Sequence, residues 1–240
     1  MKYIKKYLIT VISIVIFILL IYEFQNIKSE VNNKSLDDYY SISMMKFGKL
    51  TKEQRIIDAY HFYTDMGFFK DTNFSNNEIV DKVLQTNDFS QYFDPFSSKE
   101  GNYYFIYGDL FILNLDNKRI WFKDTEMDVV QGNNAYVKAL NEWSFISMKK
   151  FNPQNITEEW KSTEGPVTVS FTIENKKYKL DLTKESDFIN MDIISQINKI
   201  IEKSGYRFET IGVDQRVCVV LLTIEEKDKI ENERIIPFAH

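Results

Sequence analysis

The sequence predicts an α+β protein, with an N-terminal transmembrane helix followed by one domain that has an antiparallel or mixed sheet and helices packed on it. Three observations favour this fold class. Residues 7–22 carry no charge and are rich in Ile, Val and Leu. Beyond them, helical and alternating apolar patterns follow one another without a regular βαβ order. The 240 residues are 44% hydrophobic, which supplies enough apolar material for a packed core.

The N-terminal segment is interpreted as an uncleaved signal anchor that crosses the membrane once. Lys2, Lys5 and Lys6 precede the apolar run, and no acidic residue stands before it. By the positive-inside tendency, residues 1–6 stay in the cytoplasm and the domain lies outside the cell membrane. A cleaved secretory signal peptide is the alternative, but no small-x-small cleavage pattern follows residue 22.

Residues 23–50 are polar and lack a clear period, which indicates a stalk between the membrane and the domain. The domain itself is predicted to span residues 51–240. Apolar residues at spacings of three and four, together with Ser or Thr caps, predict five helices there. The predicted helical stretches are 51–67, 75–85, 133–148, 188–205 and 223–234.

Aromatic and β-branched runs between these helices predict strands. Residues 103–122 have the composition of a meander of short strands. Two alternating runs, 167–173 and 176–182, are predicted to form a hairpin, and 206–211 with 216–222 a second strand pair. Pro153 is predicted to end regular structure after the third helix.

The best candidate site is an acidic cluster, Asp124, Glu126 and Asp128, which follows Trp121 and a phenylalanine. On a strand these alternate positions face the same way, so the carboxylates could share a cation or do acid/base work. The other interpretation is a solvated strand face. We expect Asp124 to be buried beneath Trp121 in a structural role, and Asp128 to be solvated.

Composition excludes several kinds of site. Only two His and one Cys are present, and no glycine-rich phosphate loop occurs, so neither a metal nor a cofactor is expected. The net charge of −5 argues against a nucleic-acid partner, since binding phosphates needs clustered basic residues. Cys218 is predicted to be a buried hydrophobe, and His61 to have a structural role.

Glu158 and Glu159 stand beside Trp160, an arrangement that resembles the paired carboxylates and aromatic platform of a sugar-binding or hydrolytic edge. Adjacent acidic residues on a loop are the simpler interpretation. Each tryptophan of the chain can likewise be a packing residue instead of a ligand platform.

An ordered set of short motifs resembles a family of uncharacterised bacterial proteins. The motifs are W-F-x-D-x-E at 121–126, NEWSFIS at 141–147, F-N-P-x-x-I-T-E-x-W at 151–160, GPVTVSF at 165–171 and DQRVCVVLLTIEE at 214–226. The similarity covers most of residues 50–240, and the N-terminal anchor is an addition to the pattern. The members resemble small acidic proteins of bacterial toxin–immunity neighbourhoods, which is a likeness of appearance and not of mechanism.

The residues that match this family pattern are Trp121, Asp124, Glu126, Trp160 and Gln215. The resemblance implies that Trp121, Trp160 and Gln215 contribute to binding. It implies an immunity-like protein partner and no established activity.

The leading functional prediction is a membrane-anchored, outward-facing, non-enzymatic binding domain that recognises a protein. Its partners are then the membrane, through residues 7–22, and a protein. The alternative is an acid/base hydrolase that acts on cell-envelope glycan through Asp124 and Glu126.

Overall fold

The computed structural model describes residues 34–86, 89 and 93–239. The predicted anchor at 7–22 lies outside this part of the chain. No helix among the described residues has the length and apolar character that crossing a membrane requires. Contacts divide the chain into two units, Met1–Ser41 and Ile42–His240.

The described residues form seven α-helices, five of which match the predicted stretches. Their bounds are α1 Leu36–Phe47, α2 Lys52–Asp65, α3 Asn76–Thr86, α4 Gly108–Leu113, α5 Ala135–Ile146, α6 Asp192–Ile201 and α7 Ile224–Arg234. Short 3-10 helices, Tyr103–Tyr107 and Glu202–Ser204, precede α4 and follow α6. The predicted capping boxes are present where α2 and α7 begin, at Thr51 and Thr223.

Within the described ranges, six strands form two separate antiparallel sheets, where the sequence predicted one sheet. The strands are β1 Ile120–Asp124, β2 Gln154–Trp160, β3 Val167–Ile173, β4 Lys176–Leu182, β5 Tyr206–Val213 and β6 Arg216–Thr223. The first sheet has the order β1-β6-β5 and the second the order β2-β3-β4. Both predicted strand pairs, β3 with β4 and β5 with β6, are confirmed.

The sheet β1-β6-β5 is buried on both faces and separates two hydrophobic cores. The first core lies between the two sheets and includes α5 and α6. The second core lies between the other face of β1-β6-β5 and helices α2, α3, α4 and α7. Alternate residues of β6 belong to different cores: Val217, Val219 and Leu221 to the first, and Cys218, Val220 and Leu222 to the second. This explains why residues 217–222 of β6 are all apolar, since neither face of the strand meets water there.

Three sequence predictions of secondary structure are wrong. Regular structure does not end at Pro153, because strand β2 begins at Gln154. Residues 103–113, predicted as strands, are helical, and all of 108–113 is buried. A short run that is apolar on every side carries no period, so its β-branched and aromatic composition could not distinguish helix from strand. Helix α1 lies within the stretch predicted as an irregular stalk. It begins at a cap in which the Ser35 hydroxyl donates to the Asp38 carboxylate at 2.8 Å.

Candidate functional site

The three carboxylates of the acidic cluster do not share a strand face. Strand β1 ends at Asp124, opposite Arg216, because the β5–β6 hairpin turns there. Asp124 is exposed, so the predicted burial beneath Trp121 is wrong. The Asp124 Oδ1 accepts the backbone N–H of Glu126 at 2.9 Å. Asp128 is exposed as expected, and its φ of 50° takes it out of extended structure.

Glu126 lies beside a carboxylate that the sequence analysis did not consider. It forms an isolated antiparallel bridge with Phe188, which brings it next to Asp187. The Asp187 carboxylate, then burial and the Asp124 carboxylate, raise the pKa of Glu126 above its usual value. Within the part of the chain that the structure describes, no three His, Cys, Asp or Glu side chains are grouped as metal ligands.

Trp121 and Gln215, both predicted binding residues, make structural contacts. Trp121 is buried in the first core, and its indole N–H donates to the Glu142 carboxylate at 2.6 Å. Lys123 binds the other oxygen of that carboxylate, also at 2.6 Å. Gln215 is in the β5–β6 turn, where its backbone carbonyl accepts the Thr125 N–H at 2.8 Å.

Glu158 caps a helix from a neighbouring strand. Its Oε1 accepts the backbone N–H groups of Tyr136 and, at 3.2 Å, of Val137, which are in the first turn of α5. Its other oxygen accepts the Trp160 indole N–H at 3.3 Å. The helix needs this acceptor because Asn134, at its N-cap, forms no side-chain cap. Glu158 therefore fixes α5 against β2, which favours a structural role for this acidic pair. The expected loop is wrong, because both glutamates lie within strand β2.

A buried ionic cluster ties α2, α4 and α7 together. Asp109, only 1% exposed, binds the Arg234 guanidinium at 2.6 Å and accepts the Tyr63 hydroxyl at 3.1 Å. Arg55 donates to the carbonyls of Phe105 and Pro95. Burial lowers the pKa of Arg55 to about 10, which the Asp109 carboxylate partly opposes. These groups face each other inside the fold, so the cluster has a structural role.

Three segments that are distant in the sequence form a groove, which we call the Phe145 groove. Its walls come from residues 67–71 after α2, residues 116–119 before β1, and residues 145–148 at the end of α5. The cavity has a volume of about 340 Å³. Pockets for small ligands occupy about 300–1,000 Å³, and two other cavities of about 450 and 410 Å³ also lie in this range, so the groove is distinguished by its lining and not by its size.

Two large apolar side chains line the groove and are exposed. Phe145 is 63% exposed and Met148 is 42% exposed. Phe145 is on the side of α5 away from the residues that the helix buries, such as Leu140 and Trp143. It therefore contributes no burial to the first core, and together with Met148 it places exposed apolar surface at the groove.

The 67–71 wall of the groove is fixed by buried polar groups. The Asp116 carboxylate accepts the backbone N–H of Phe69 at 2.7 Å, which holds that residue at a φ of 57°. The Arg119 guanidinium donates to the Gly67 carbonyl at 3.4 Å and lies 4.0 Å from the centre of the Phe68 ring. Because Asp116 and Arg119 are themselves buried, the wall is formed before a ligand binds.

The wall at the end of α5 is strained and held by one hydroxyl. Met148 and Lys149 have φ values of 50° and 66°. Such a conformation costs about 1–3 kcal/mol for a non-glycine residue and is concentrated at functional sites. The buried Ser147 hydroxyl accepts the Phe151 N–H at 3.2 Å, and its hydrogen can be donated to the Ser144 carbonyl at 2.6 Å or to the Phe151 carbonyl at 2.9 Å, which stabilises the turn.

Comparisons with protein-family models, with curated proteins and with solved structures find no match for this chain. The site must therefore be inferred from its own geometry. The groove is not visible in the sequence, because its three walls come from distant segments that only the fold brings together. One signal was present: Phe145 is a large apolar residue that lies off the buried stripe of its helix.

Proposed function

We propose that the protein is a membrane-anchored, outward-facing domain that recognises another protein through the Phe145 groove. The observation that carries this proposal is the exposure of Phe145 and Met148 at the wall of a preformed cavity. Aromatic residues and Met are enriched in the cores of protein interfaces. A fixed wall also favours binding, because little conformational entropy is lost when the partner docks.

Site-specific photo-crosslinking tests the recognition. A benzophenone amino acid replaces Phe145 in the full chain, which is expressed in its native membrane and irradiated. The control carries the same group in place of Tyr103, an aromatic residue that is 49% exposed and lines a different cavity. We expect a protein adduct at position 145 that is absent at position 103. Equal labelling at both positions, or no protein adduct at 145, contradicts the proposal.

The membrane topology is a separate part of the proposal and rests on the uncharged run 7–22 and on the lysines before it. Protease added to intact spheroplasts should digest the domain, whereas a cytoplasmic protein in the same cells should survive. Protection of the whole chain from the protease would contradict the outward orientation. It would not bear on the groove, which the crosslinking experiment tests separately.

The raised pKa of Glu126 favours a second candidate function, an acid/base hydrolase of cell-envelope glycan. A general acid must stay protonated near the working pH, and a neighbouring carboxylate such as Asp187 shifts a glutamate in that direction. Turnover of purified glycan strands by the full chain, abolished in Glu126→Gln, would support this function. Absence of turnover by the unmodified chain excludes it for that substrate.

A further inference from the structure

We propose that the segment bound in the Phe145 groove carries a carboxylate next to a large apolar side chain. This inference rests on the proposed function and specifies the chemistry of the partner. It follows from the charged side chains that line the groove and from the exposed side chains of Phe145 and Met148 beside them.

Most charges of the groove are already compensated. Both oxygens of Asp116 accept backbone N–H groups, from Phe69 at 2.7 Å and Lys118 at 3.3 Å. Arg119 donates to two carbonyls, and its guanidinium lies 3.8 Å from the Glu226 carboxylate. Lys118 and Asp71 form an ion pair at 2.8 Å.

Lys70 differs from these residues. Among the residues that the structure describes, it forms no ion pair, although it lines the groove and is exposed. A Cβ added to Gly67 would lie 3.1 Å from the Lys70 Cε, so the lysine stem lies close over the Gly67 backbone. As far as the described residues go, the groove therefore holds a cation without an anionic partner.

An acidic protein segment explains this arrangement. A carboxylate of the partner would pair with Lys70, while an adjacent apolar side chain would contact Phe145 and Met148 and become buried in the cavity. An anionic membrane is the other surface that attracts a basic and apolar patch. It fits less well, because a lipid surface does not fill a cavity of about 340 Å³.

Selection from a random dodecapeptide library displayed on phage tests the chemistry. The full chain is presented in zwitterionic nanodiscs, alongside Lys70→Glu and the control Lys177→Glu, an exposed lysine of β4. We expect the unmodified chain and the control to enrich Asp or Glu beside Phe, Leu, Met or Trp. Lys70→Glu should lose the acidic preference while its melting temperature stays unchanged. Replacing the selected acid by its amide should weaken binding about two- to fivefold, as for an exposed ion pair.

The outcomes separate this inference from the proposed function. Enrichment of apolar peptides without an acid, equally by the unmodified chain and Lys70→Glu, overturns the inferred chemistry but leaves protein recognition standing. No enrichment over empty nanodiscs overturns the inference, and a missing adduct at position 145 would then overturn the function as well. Co-sedimentation with phosphatidylglycerol vesicles that depends on Lys70, without peptide selection, assigns the groove to the membrane and also overturns the inference.

Discussion

Glu158 shows how one residue can seem functional in the sequence and be structural in the fold. Its carboxylate supplies the acceptor that the first turn of α5 lacks. Glu158→Ala should therefore lower the free energy of unfolding by about 1–2 kcal/mol, since two helical N–H groups lose their partner. The neighbouring Glu159 is exposed, and Glu159→Ala should change stability by less than about 0.5 kcal/mol. Urea unfolding measures both, and equal effects would contradict the capping role.

Glu126 gives a pH-dependent prediction at the same scale. Its pKa is raised mainly by Asp187, so the folded state binds the Glu126 proton more tightly than the unfolded state does. The contribution of Glu126 to stability should then fall as the pH rises through the carboxyl range, whereas carboxyls with a lowered pKa, such as Glu53 and Glu78, contribute in the opposite direction. Glu126→Gln removes this loss, so the variant should be at least as stable as the wild type at pH 7. The stability of the variant relative to the wild type should then decrease as the pH is lowered. Melting temperatures at several pH values test the sign, and a variant that is less stable at pH 7 contradicts it.

Single residues were predictable from the sequence where their partner is local. The Thr51 and Thr223 caps use an acceptor and donor within the same helical turn, and both are present. The burial of Cys218 is confirmed too, and burial raises the pKa of its thiol to about 12. Asp124 was misjudged because its exposure depends on where the β5–β6 hairpin ends, which is a property of a distant strand pair.

At the level of elements, the β3–β4 hairpin contains a strained turn. Glu174 and Asn175 have φ values of 49° and 65°, as a two-residue turn with both central residues left-handed requires. Asn-Gly is favoured at these positions, so Glu174→Asn combined with Asn175→Gly should raise the free energy of unfolding by about 1 kcal/mol. Lys177→Gly, inside β4, serves as the control and should be destabilising. A destabilised turn variant would show that the turn residues have another role.

Elements were predicted where period or turn chemistry is visible in the sequence. The alternation in β3 and β4 and the apolar stripe of α6 are both confirmed. Strand β2 was missed because it is an edge strand with a register shift and mostly polar exposed residues. The helices at 103–113 were missed because burial on all sides removes the period that distinguishes a helix.

For the folded unit as a whole, the shared sheet β1-β6-β5 predicts a single unfolding transition. Each face of β6 contributes side chains to one of the two cores. Displacement of β6 therefore disrupts the packing of both cores at once. Tryptophan fluorescence reports the first core, because Trp121 and Trp143 lie in it and Trp160 packs against it. Far-UV circular dichroism reports the helices of both cores.

The two probes should therefore give superimposable urea transitions, as a two-state unit requires. Val219→Ala in the first core and Val220→Ala in the second should each shift both curves together. Separate midpoints for the two probes would show that the cores unfold independently and would contradict this description of the fold.

The most direct measurement for the central claim is the affinity of the full chain for the protein captured at position 145. Phe145 and Met148 are exposed and add little to folding, so Phe145→Ala with Met148→Ala should leave the melting temperature unchanged. If the groove is the recognition surface, the double variant should bind at least about tenfold more weakly, the loss expected for interface anchors. The control Tyr103→Ala should bind as the unmodified chain does. An unchanged affinity of the double variant would show that the Phe145 groove does not recognise the partner.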